Sequence, residues 1–271
     1  MKRRDFITAA AAAGVTAAVV TDVDARPFAN QNAKPARQFL ELRTYHVKND
    51  DNKKILTDTI DNALIPALKR NGIGTVGAFT WYNEIDGNDK AFENVVFVLI
   101  QHPTTNSFLD LSQRLLADKT FVKAAAPVLD VPLAKSVYET YESSLLHTFR
   151  DIPSIEKPVK SDSRFYQMRC YKSFNLDRNA RKIQMFGAGG ELKIFNKYGL
   201  RQVFFGETVF GQRMPNLTYM LGFETQDAQK EAWKKFGSSP EWNELRVKPE
   251  YKETATSIVN LFLKPTKGST L

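Results

Sequence analysis

Two stretches of the chain, FLELRTYHV at residues 39–47 and FYQMRCYKS at residues 165–173, share an Arg-x-Tyr motif. In both stretches the type of side chain alternates from one residue to the next, which is typical of a β-strand with two different faces. Further matches follow in the same order: Arg43 with Arg169, Tyr45 with Tyr171, Gly72 with Gly199, Asn94 with Asn216, and Phe121 with Trp242. Several independent matches in one order predict an internal duplication.

The pattern around each copy predicts the element order strand, helix, strand, strand, helix, strand. In the first copy the later elements are expected at residues 51–72, 73–85, 92–102, 104–121 and 142–149. In the second copy they are expected at residues 178–199, 200–211, 216–224, 225–242 and 255–264. Asn71-Gly72 ends the first long helix, because glycine accepts the left-handed conformation found at helix C-termini. Each copy is therefore predicted to be a ferredoxin-like βαββαβ unit.

A single ferredoxin-like unit covers one face of its sheet with helices and leaves the other face bare. A bare face carrying aromatic residues such as Phe97 and Tyr219 would promote aggregation. We therefore predict an α+β fold of two tandem ferredoxin-like repeats whose antiparallel sheets face each other as an α/β barrel. One chain could then form the barrel alone.

The N-terminus does not fit this pattern. Lys2, Arg3 and Arg4 precede an Ala/Val-rich run at residues 9–20, which is too short to span a bilayer. The order of charged region, apolar region and small residues predicts a signal peptide of the twin-arginine type over residues 1–25. The protein is therefore expected in the periplasm or otherwise exported, without a transmembrane segment in its mature form. The alternative is an exposed basic tail followed by an alanine-rich helix.

The remaining boundaries follow from composition. Prolines and charges at residues 150–163 indicate a linker between the two repeats. The predicted organisation is a signal peptide at 1–25, a flexible leader at 26–37, a first repeat at 38–149, the linker at 150–163, a second repeat at 164–265 and a tail at 266–271.

Charge and cysteine content exclude several classes of site. The formal charge is +8, but the basic residues are scattered among acidic ones and match no nucleic-acid-binding pattern. Cys170 is the one cysteine of the sequence, so an intrachain disulfide and a cysteine metal cluster are excluded. We predict no metal site and no nucleic-acid partner, and a homo-oligomer remains open.

Particular stretches of the sequence resemble a known family. The first strand FLELRTYHV, the segment ESSLLHTF at 142–149, and residues 180–224, which include RMPNLTYML, are similar to the secreted bacterial branch of the NIPSNAP family. The resemblance covers residues 38–265 and is more specific in the second half, because NVVFVLIQH stands in the first half where the second has NLTYML. It implies the dimeric α/β-barrel fold, and it supplies no catalytic residues.

The Arg-x-Tyr strands are the best candidates for a ligand site. Strand periodicity places Glu41, Arg43 and Tyr45 on one face, and Gln167, Arg169 and Tyr171 on the corresponding face. We expect both faces to look into the barrel, where arginine would bind a carboxylate or phosphate in bidentate fashion. The full set of predicted ligand-binding residues is Glu41, Arg43, Tyr45, Gln167, Arg169, Tyr171, Glu207 and Tyr219. The alternative is that Arg43 pairs with Glu41 or Glu207 inside a buried polar network.

Other motifs carry weaker chemistry. His46, His102 and His147 lie near predicted strand ends and lack metal-ligand spacing, so no cofactor is predicted, and haem held by His102 or His147 is the minor alternative. The glycine-rich segment GAGG at 187–190 lies inside a helical pattern and predicts a kink or close packing, not a dinucleotide site.

Two hypotheses about function result. The first is an exported protein that binds a small anionic or aromatic ligand, or a protein partner, in the barrel. The second is a small-molecule enzyme on the same barrel, either a cofactor-free or a haem-dependent oxygenase or an isomerase. The absence of a recognisable catalytic constellation in the sequence favours the first.

Overall fold

A computed structural model describes residues 36–271 of the chain. The predicted signal peptide and most of the predicted leader lie outside the described residues. The strands are β1 Phe39–Val47, β2 Val76–Trp81, β3 Val95–His102, β4 Tyr138–Thr148, β5 Phe165–Lys172, β6 Arg201–Phe210, β7 Asn216–Phe223 and β8 Ser257–Pro265. The helices are α1 Asp50–Thr59, α2 Ile65–Arg70, α3 Thr105–Leu109, α4 Leu111–Ala117, α5 Lys119–Ala124, α6 Ala126–Leu129, α7 Leu176–Phe186, α8 Glu191–Lys197, α9 Gln226–Ser238 and α10 Pro240–Leu245.

The strands form one closed antiparallel barrel in the order β1-β3-β2-β8-β5-β7-β6-β4. Within each half of the chain, the fourth strand of that half lies beside the first, then the third, then the second, which is the ferredoxin-like order. The two four-stranded sheets join along two seams, where β2 pairs with β8 and β4 pairs with β6. The predicted α+β barrel is confirmed, and a single chain closes it.

The barrel interior is packed with apolar side chains at one end. Leu40 on β1, Phe79 on β2, Met168 on β5 and Met220 on β7 belong to one buried cluster that draws on both halves. At the other end the interior opens as a well of about 280 Å³ whose lining includes Thr44, Cys170 and Thr218. The space between the sheets is therefore filled over part of its depth only.

Helices cover the outside of the barrel and create two further cores. In the first half, α1 and α2, joined by a π-helical turn at Ile60–Leu64, pack with α4 and α5 on the outer face of β1 and β3. In the second half, α7 to α10 cover the outer face of β5, β6 and β7. The predicted helix at 178–199 is interrupted at residues 187–190, so the kink predicted for GAGG is confirmed.

The predicted orientation of the Arg-x-Tyr faces is wrong. Tyr45 and Tyr171 belong to the two cores beneath the helices. Leu40 and Met168, which lie on the opposite faces of the same two strands, point into the barrel. Both faces of each strand are covered, so alternation alone does not tell which face is inside. The packed end of the interior takes the apolar faces, whereas the arginines lie under the helices, where side chains of other elements can reach them.

Two smaller differences concern the helical regions. The helix predicted at 104–121 is four short helices that run from Thr105 to Leu129, with breaks at Asp110, Asp118 and Ala125. Asp118 ends one helix and caps the next by accepting a hydrogen bond from the backbone of Phe121. Across residues 36–271, none of the helices is both long enough and apolar enough to cross a membrane.

Candidate functional site

The largest cavity associated with the Arg-x-Tyr strands lies in the second half, between the outer face of β5 and helices α7 to α10. We call it the second-half cavity; its volume is about 520 Å³. Its charged lining consists of three cations and two carboxylates: Arg169, Lys182, Arg246, Glu191 and Glu253. Its aromatic lining is Tyr171, Phe195, Trp233, Phe236, Trp242 and Tyr251. The cavity thus combines apolar walls with an excess of positive charge, which is a lining suited to an organic anion.

Arg169 is held in this cavity by aromatic rings and not by a carboxylate. Its guanidinium carbon lies 5.2 Å from the ring centre of Tyr171 and 5.0 Å from that of Trp233. One terminal nitrogen donates to the hydroxyl of Tyr219 at 3.3 Å. Its buried Nε has no hydrogen-bond partner among the described residues, and no carboxylate there lies within ion-pair distance. Among these residues Arg169 therefore lacks a carboxylate in direct contact, and Glu191 attracts it only from a greater distance.

Two tyrosines fix the position of Arg169. Tyr219 is fully buried, and its ring stacks on Phe205 at a centroid distance of 4.5 Å. Its hydroxyl lies 3.2 Å from that of Tyr171, the tyrosine of the Arg-x-Tyr motif on β5. Burial raises the pKa of Tyr219 well above its usual value, so this phenol stays protonated and keeps a hydrogen to share.

Gln167 occupies the position two residues before Arg169 on the same strand. Its carbonyl oxygen accepts from the indole of Trp233 at 2.6 Å, and its amide nitrogen donates to Asn260 at 2.6 Å. A glutamine at this position is neutral, so it orients Trp233 without neutralising Arg169. Trp233 in turn forms one wall of the cavity against the guanidinium.

Lys182 on α7 and Glu191 on α8 form a buried ion pair in the wall of the same cavity. The Nζ of Lys182 lies 2.8 Å from Oε2 of Glu191, and both side chains are almost fully buried. Lys182 also lies 4.3 Å from the ring centre of Phe186. Burial raises the pKa of Glu191, and the neighbouring ammonium of Lys182 opposes that rise.

The GAGG break is what brings these two residues together. A Cβ on Gly189 would lie 2.6 Å from the carbonyl oxygen of Met185 and 2.9 Å from the hydroxyl of Tyr251, so only glycine fits. Gly190 has a φ of +96°, a conformation that L side chains rarely adopt. The chain therefore turns sharply after α7, and Glu191 at the start of α8 returns to Lys182.

The first half arranges the equivalent strand differently. Arg43 donates to both carboxylate oxygens of Glu41, from Nε at 2.6 Å and from Nη2 at 3.2 Å. Glu41 also accepts from Ser143 at 2.8 Å and lies 3.0 Å from Nε2 of His102. The predicted alternative, in which Arg43 pairs with Glu41 in a buried polar network, is confirmed for this half.

The charge state of Glu41 follows from these contacts. Burial alone would raise the pKa of Glu41, but the hydrogen bond from His102 and the charge and hydrogen bonds of Arg43 outweigh burial and lower it to about 2. The carboxylate is therefore ionised at neutral pH, and it cancels the charge of Arg43. Tyr45 lies beside this pair and lines the same region.

The predicted site residues thus fall into two separate groups. Gln167, Arg169, Tyr171 and Tyr219 meet in the second half, whereas Glu41, Arg43 and Tyr45 lie in the first half. Glu207 joins neither group, because it accepts from the side chain of Asn179 on α7 at 3.1 Å. The expectation that both arginines would converge on one cavity is wrong, since each lies on the outer face of its own sheet.

Sequence reasoning did not include Lys182 and Trp242 in the candidate site, and it left Glu191 and Trp233 outside the predicted set. Lys182 could have been found, because it lies on the buried face of α7 with Asn179, Met185 and Phe186 at helical spacing. A lysine at such a position needs a partner. Its partner Glu191 could not be identified from helical periodicity, because the glycine turn at residues 189–190 is what brings Glu191 back to Lys182.

The three histidines lie away from the second-half cavity. His102 is held between Glu41 and Ser107, with Nδ1 2.9 Å from the serine hydroxyl. His147 stacks on Phe39 at a centroid distance of 4.7 Å. His46 lines the well at the open end of the barrel. The lining of the second-half cavity therefore does not fit a histidine-ligated haem.

The second half of the chain matches the model of a described family. The NIPSNAP family model matches residues 166–270, which contain β6, β7, β8, helices α7 to α10 and all of β5 except its first residue. No curated protein sequence matches the chain.

Comparison with solved structures identifies neighbours that cover most of the chain and others that cover less than half of it. A proposed monooxygenase from Lactobacillus acidophilus NCFM aligns with a TM-score of 0.53 at 9% identity, covering 85% of this chain and 94% of that one. An anthrone oxidase-like protein aligns with a TM-score of 0.51 at 7% identity, covering 86% and 92%. A NIPSNAP-like domain protein from Burkholderia xenovorans is 17% identical over 40% of this chain and 90% of its own, with a TM-score of 0.37. At these identities the likeness concerns the fold alone.

Proposed function

We propose that the protein binds a small organic anion in the second-half cavity, which lies within the residues that match the NIPSNAP family model. The ligand has one carboxylate or similar acidic group and an aromatic or apolar body. The observation that carries this proposal is Arg169, a cation enclosed by Tyr171 and Trp233 whose Nε is unpartnered among the described residues. A ligand carboxylate that reached the guanidinium would pair with a cation that has no carboxylate of the described residues within ion-pair distance.

The rest of the cavity suits the body of such a ligand. Aromatic side chains form its walls, and its volume of about 520 Å³ lies within the ordinary range for small-molecule sites. Its mouth is accessible, since Ile258 is 47% exposed and Arg246 is an exposed residue of the lining. The ligand site therefore lies between sheet and helices, and not in the barrel interior where the sequence placed it.

Isothermal titration with benzoate and 1-naphthoate, each paired with its uncharged carboxamide, tests the proposal. We expect the acids to bind, the amides to bind weakly, and Arg169→Gln to weaken acid binding by about tenfold or more, because a charge-assisted bond is lost. Arg201→Gln is the matched control, since Arg201 forms an exposed ion pair with Glu224. Equal binding of acids and amides, or unchanged binding in folded Arg169→Gln protein, would contradict the proposal.

A second candidate function uses the same cavity for catalysis. Glu191 is a buried carboxylate of the cavity wall that is hydrogen-bonded to Lys182, and burial raises its pKa. A ligand bound at Arg169 could then exchange a proton with Glu191, as in a cofactor-free isomerase or oxygenase. Exchange of ligand hydrogens for deuterium in D₂O, followed by NMR, would reveal this activity. Its loss in Glu191→Gln protein that still binds ligand is the expected result.

We further propose that the protein is exported in the folded state. The support is the charged, apolar and small-residue order of residues 1–25 with its Arg3-Arg4 pair. Replacing both arginines with lysine in the full chain should retain the protein in the cytoplasm. Fractionation of bacterial cells measures this, and unchanged export of the double variant would refute the route.

A further inference from the structure

The first half contains a pocket at the place that corresponds to the second-half cavity. It lies between the outer face of β1 and β4 and the helices of the first half, with a volume of about 200 Å³. We call it the first-half pocket. Apolar side chains make up most of its lining, among them Leu56, Ile60, Leu64, Leu115, Phe121 and Val128.

The floor of the first-half pocket is electrically neutral. Among the described residues, Arg43 is the one charged side chain in its lining, and Glu41 binds it through both carboxylate oxygens. Ser143 and His102 complete the hydrogen bonding of Glu41. Arg43 is thus already neutralised by its own strand, and an incoming anion would have to displace a well-formed buried pair.

The polar groups at the edge of the pocket are hydroxyls. Tyr45, Tyr138 and Tyr141 line it, and Tyr45 stacks on Tyr141 with a centroid distance of 5.2 Å. Burial raises the pKa of Tyr45 and of Tyr138, so these phenols are uncharged at neutral pH. They can exchange hydrogen bonds with one hydroxyl of a ligand without introducing charge.

The pocket is open to solvent through an apolar mouth. Leu116 is 65% exposed and Leu129 is 42% exposed, and both belong to the lining. The π-helical turn at Ile60–Leu64 forms part of the opposite wall, and such turns interrupt helices frequently at functional sites. A small apolar molecule could enter here without crossing a charged rim.

We propose that the first-half pocket is a second, independent ligand site, specific for a neutral single-ring aromatic molecule that carries at most one hydroxyl. The size agrees, since an apolar cavity of about 150 Å³ takes benzene. The two halves of one chain would therefore bind two chemically different ligands, an anion at Arg169 and a neutral ring beside Arg43. The two sites differ at the position of Glu41 and Gln167, and the second-half cavity is also lined by Lys182 and Arg246.

The test uses p-cresol as the neutral probe and benzoate as the charged one, followed by isothermal titration and ligand-observed NMR on the full chain. We expect p-cresol to bind in the presence of saturating benzoate. Ser112→Trp places a large side chain at an exposed position of the pocket lining, and Val128→Trp fills the pocket from its wall. Each should weaken p-cresol binding by about tenfold or more, because the contacts of the ring are lost, and leave benzoate binding unchanged.

Controls distinguish the two sites. Arg169→Gln should weaken benzoate binding and leave p-cresol binding intact. Competition between p-cresol and benzoate, or normal p-cresol binding in both tryptophan variants, would overturn the proposal. Gel filtration that shows a dimer dissociated by Leu116→Gln would also overturn it, since a second copy of the chain would then cover the mouth. Two tryptophan variants are used so that misfolding of one leaves the other as the test.

Discussion

Glu41 and Gln167 occupy the same position in their halves, each two residues before the arginine of an Arg-x-Tyr strand, and only Glu41 is charged. Glu41 binds Arg43 through two hydrogen bonds, whereas Gln167 binds Trp233 and Asn260 and leaves Arg169 without a carboxylate. This single difference determines which half presents a free positive charge to a ligand.

Introducing a carboxylate beside Arg169 should abolish anion binding. In Gln167→Glu, the new side chain can pair with Arg169 as Glu41 pairs with Arg43, so a ligand carboxylate loses its partner. We expect benzoate affinity to fall by about tenfold or more, measured by isothermal titration at neutral pH. Gln113→Glu, a change of the same type at an exposed position of α4, is the control, and full benzoate affinity in Gln167→Glu would contradict the site.

Glu41 should give the protein a distinct dependence of stability on pH. Its pKa is lowered from 4.5 to about 2 in the folded protein, so it stabilises the fold above its unfolded value and this contribution is lost as pH falls from about 4.5 toward 2. The shift corresponds to about 3 kcal/mol. Urea unfolding at neutral pH and at two acidic values should show this loss in the natural protein and a flatter profile in Glu41→Gln. Identical profiles would refute the assignment.

Removing one partner of the Lys182–Glu191 pair should lower the free energy of unfolding much more than replacing both partners with apolar residues. Lys182→Met leaves Glu191 buried without its partner, so we expect the free energy of unfolding to drop by about 3–5 kcal/mol at neutral pH. Lys182→Met combined with Glu191→Leu removes both charges and should recover most of that loss. Urea denaturation measures both. A double variant as unstable as the single one would show that packing, and not the uncompensated charge, causes the effect.

Gly189 and Gly237 provide a matched pair of substitutions. Gly189→Ala would force a Cβ to within 2.6 Å of the Met185 carbonyl oxygen, so we expect a loss of stability of about 2 kcal/mol or more and a displaced Glu191. Gly237→Ala in α9 meets nothing within 4 Å and should stabilise the helix by about 0.5–1 kcal/mol. Thermal unfolding distinguishes the two, and equal effects would contradict the close approach at Gly189.

The barrel could be predicted from the sequence because its elements follow from local patterns. The βαββαβ order follows from the alternation in β1 and β5, the helical spacing after them and the glycines that end the helices. The two sheets then face each other because an apolar sheet face exposed to water is unfavourable. The duplication as an event in the history of the chain stays a prediction, although the two halves share one strand order.

The orientation of the arginines could not be predicted, because period-two alternation defines two faces without saying which lies inside. Leu42 and Arg43 are neighbours on β1, and which of them faces the barrel depends on how both sides are covered. The Lys182–Glu191 pair was likewise hidden, since it requires the turn at Gly189 and Gly190. Local patterns determine the elements, whereas these contacts are set by packing between elements.

The seam between β2 and β8 pairs Phe79 with Pro265, 186 residues apart in the chain. The ring of strands therefore cannot close during synthesis until β8, which pairs with β2 of the first half and β5 of the second, has left the ribosome. Until then both halves present unpaired strand edges, which are sites for mispairing with other chains. Loss of β8 would leave β2 and β5 each with an unpaired edge, so closure of the whole ring depends on this one strand.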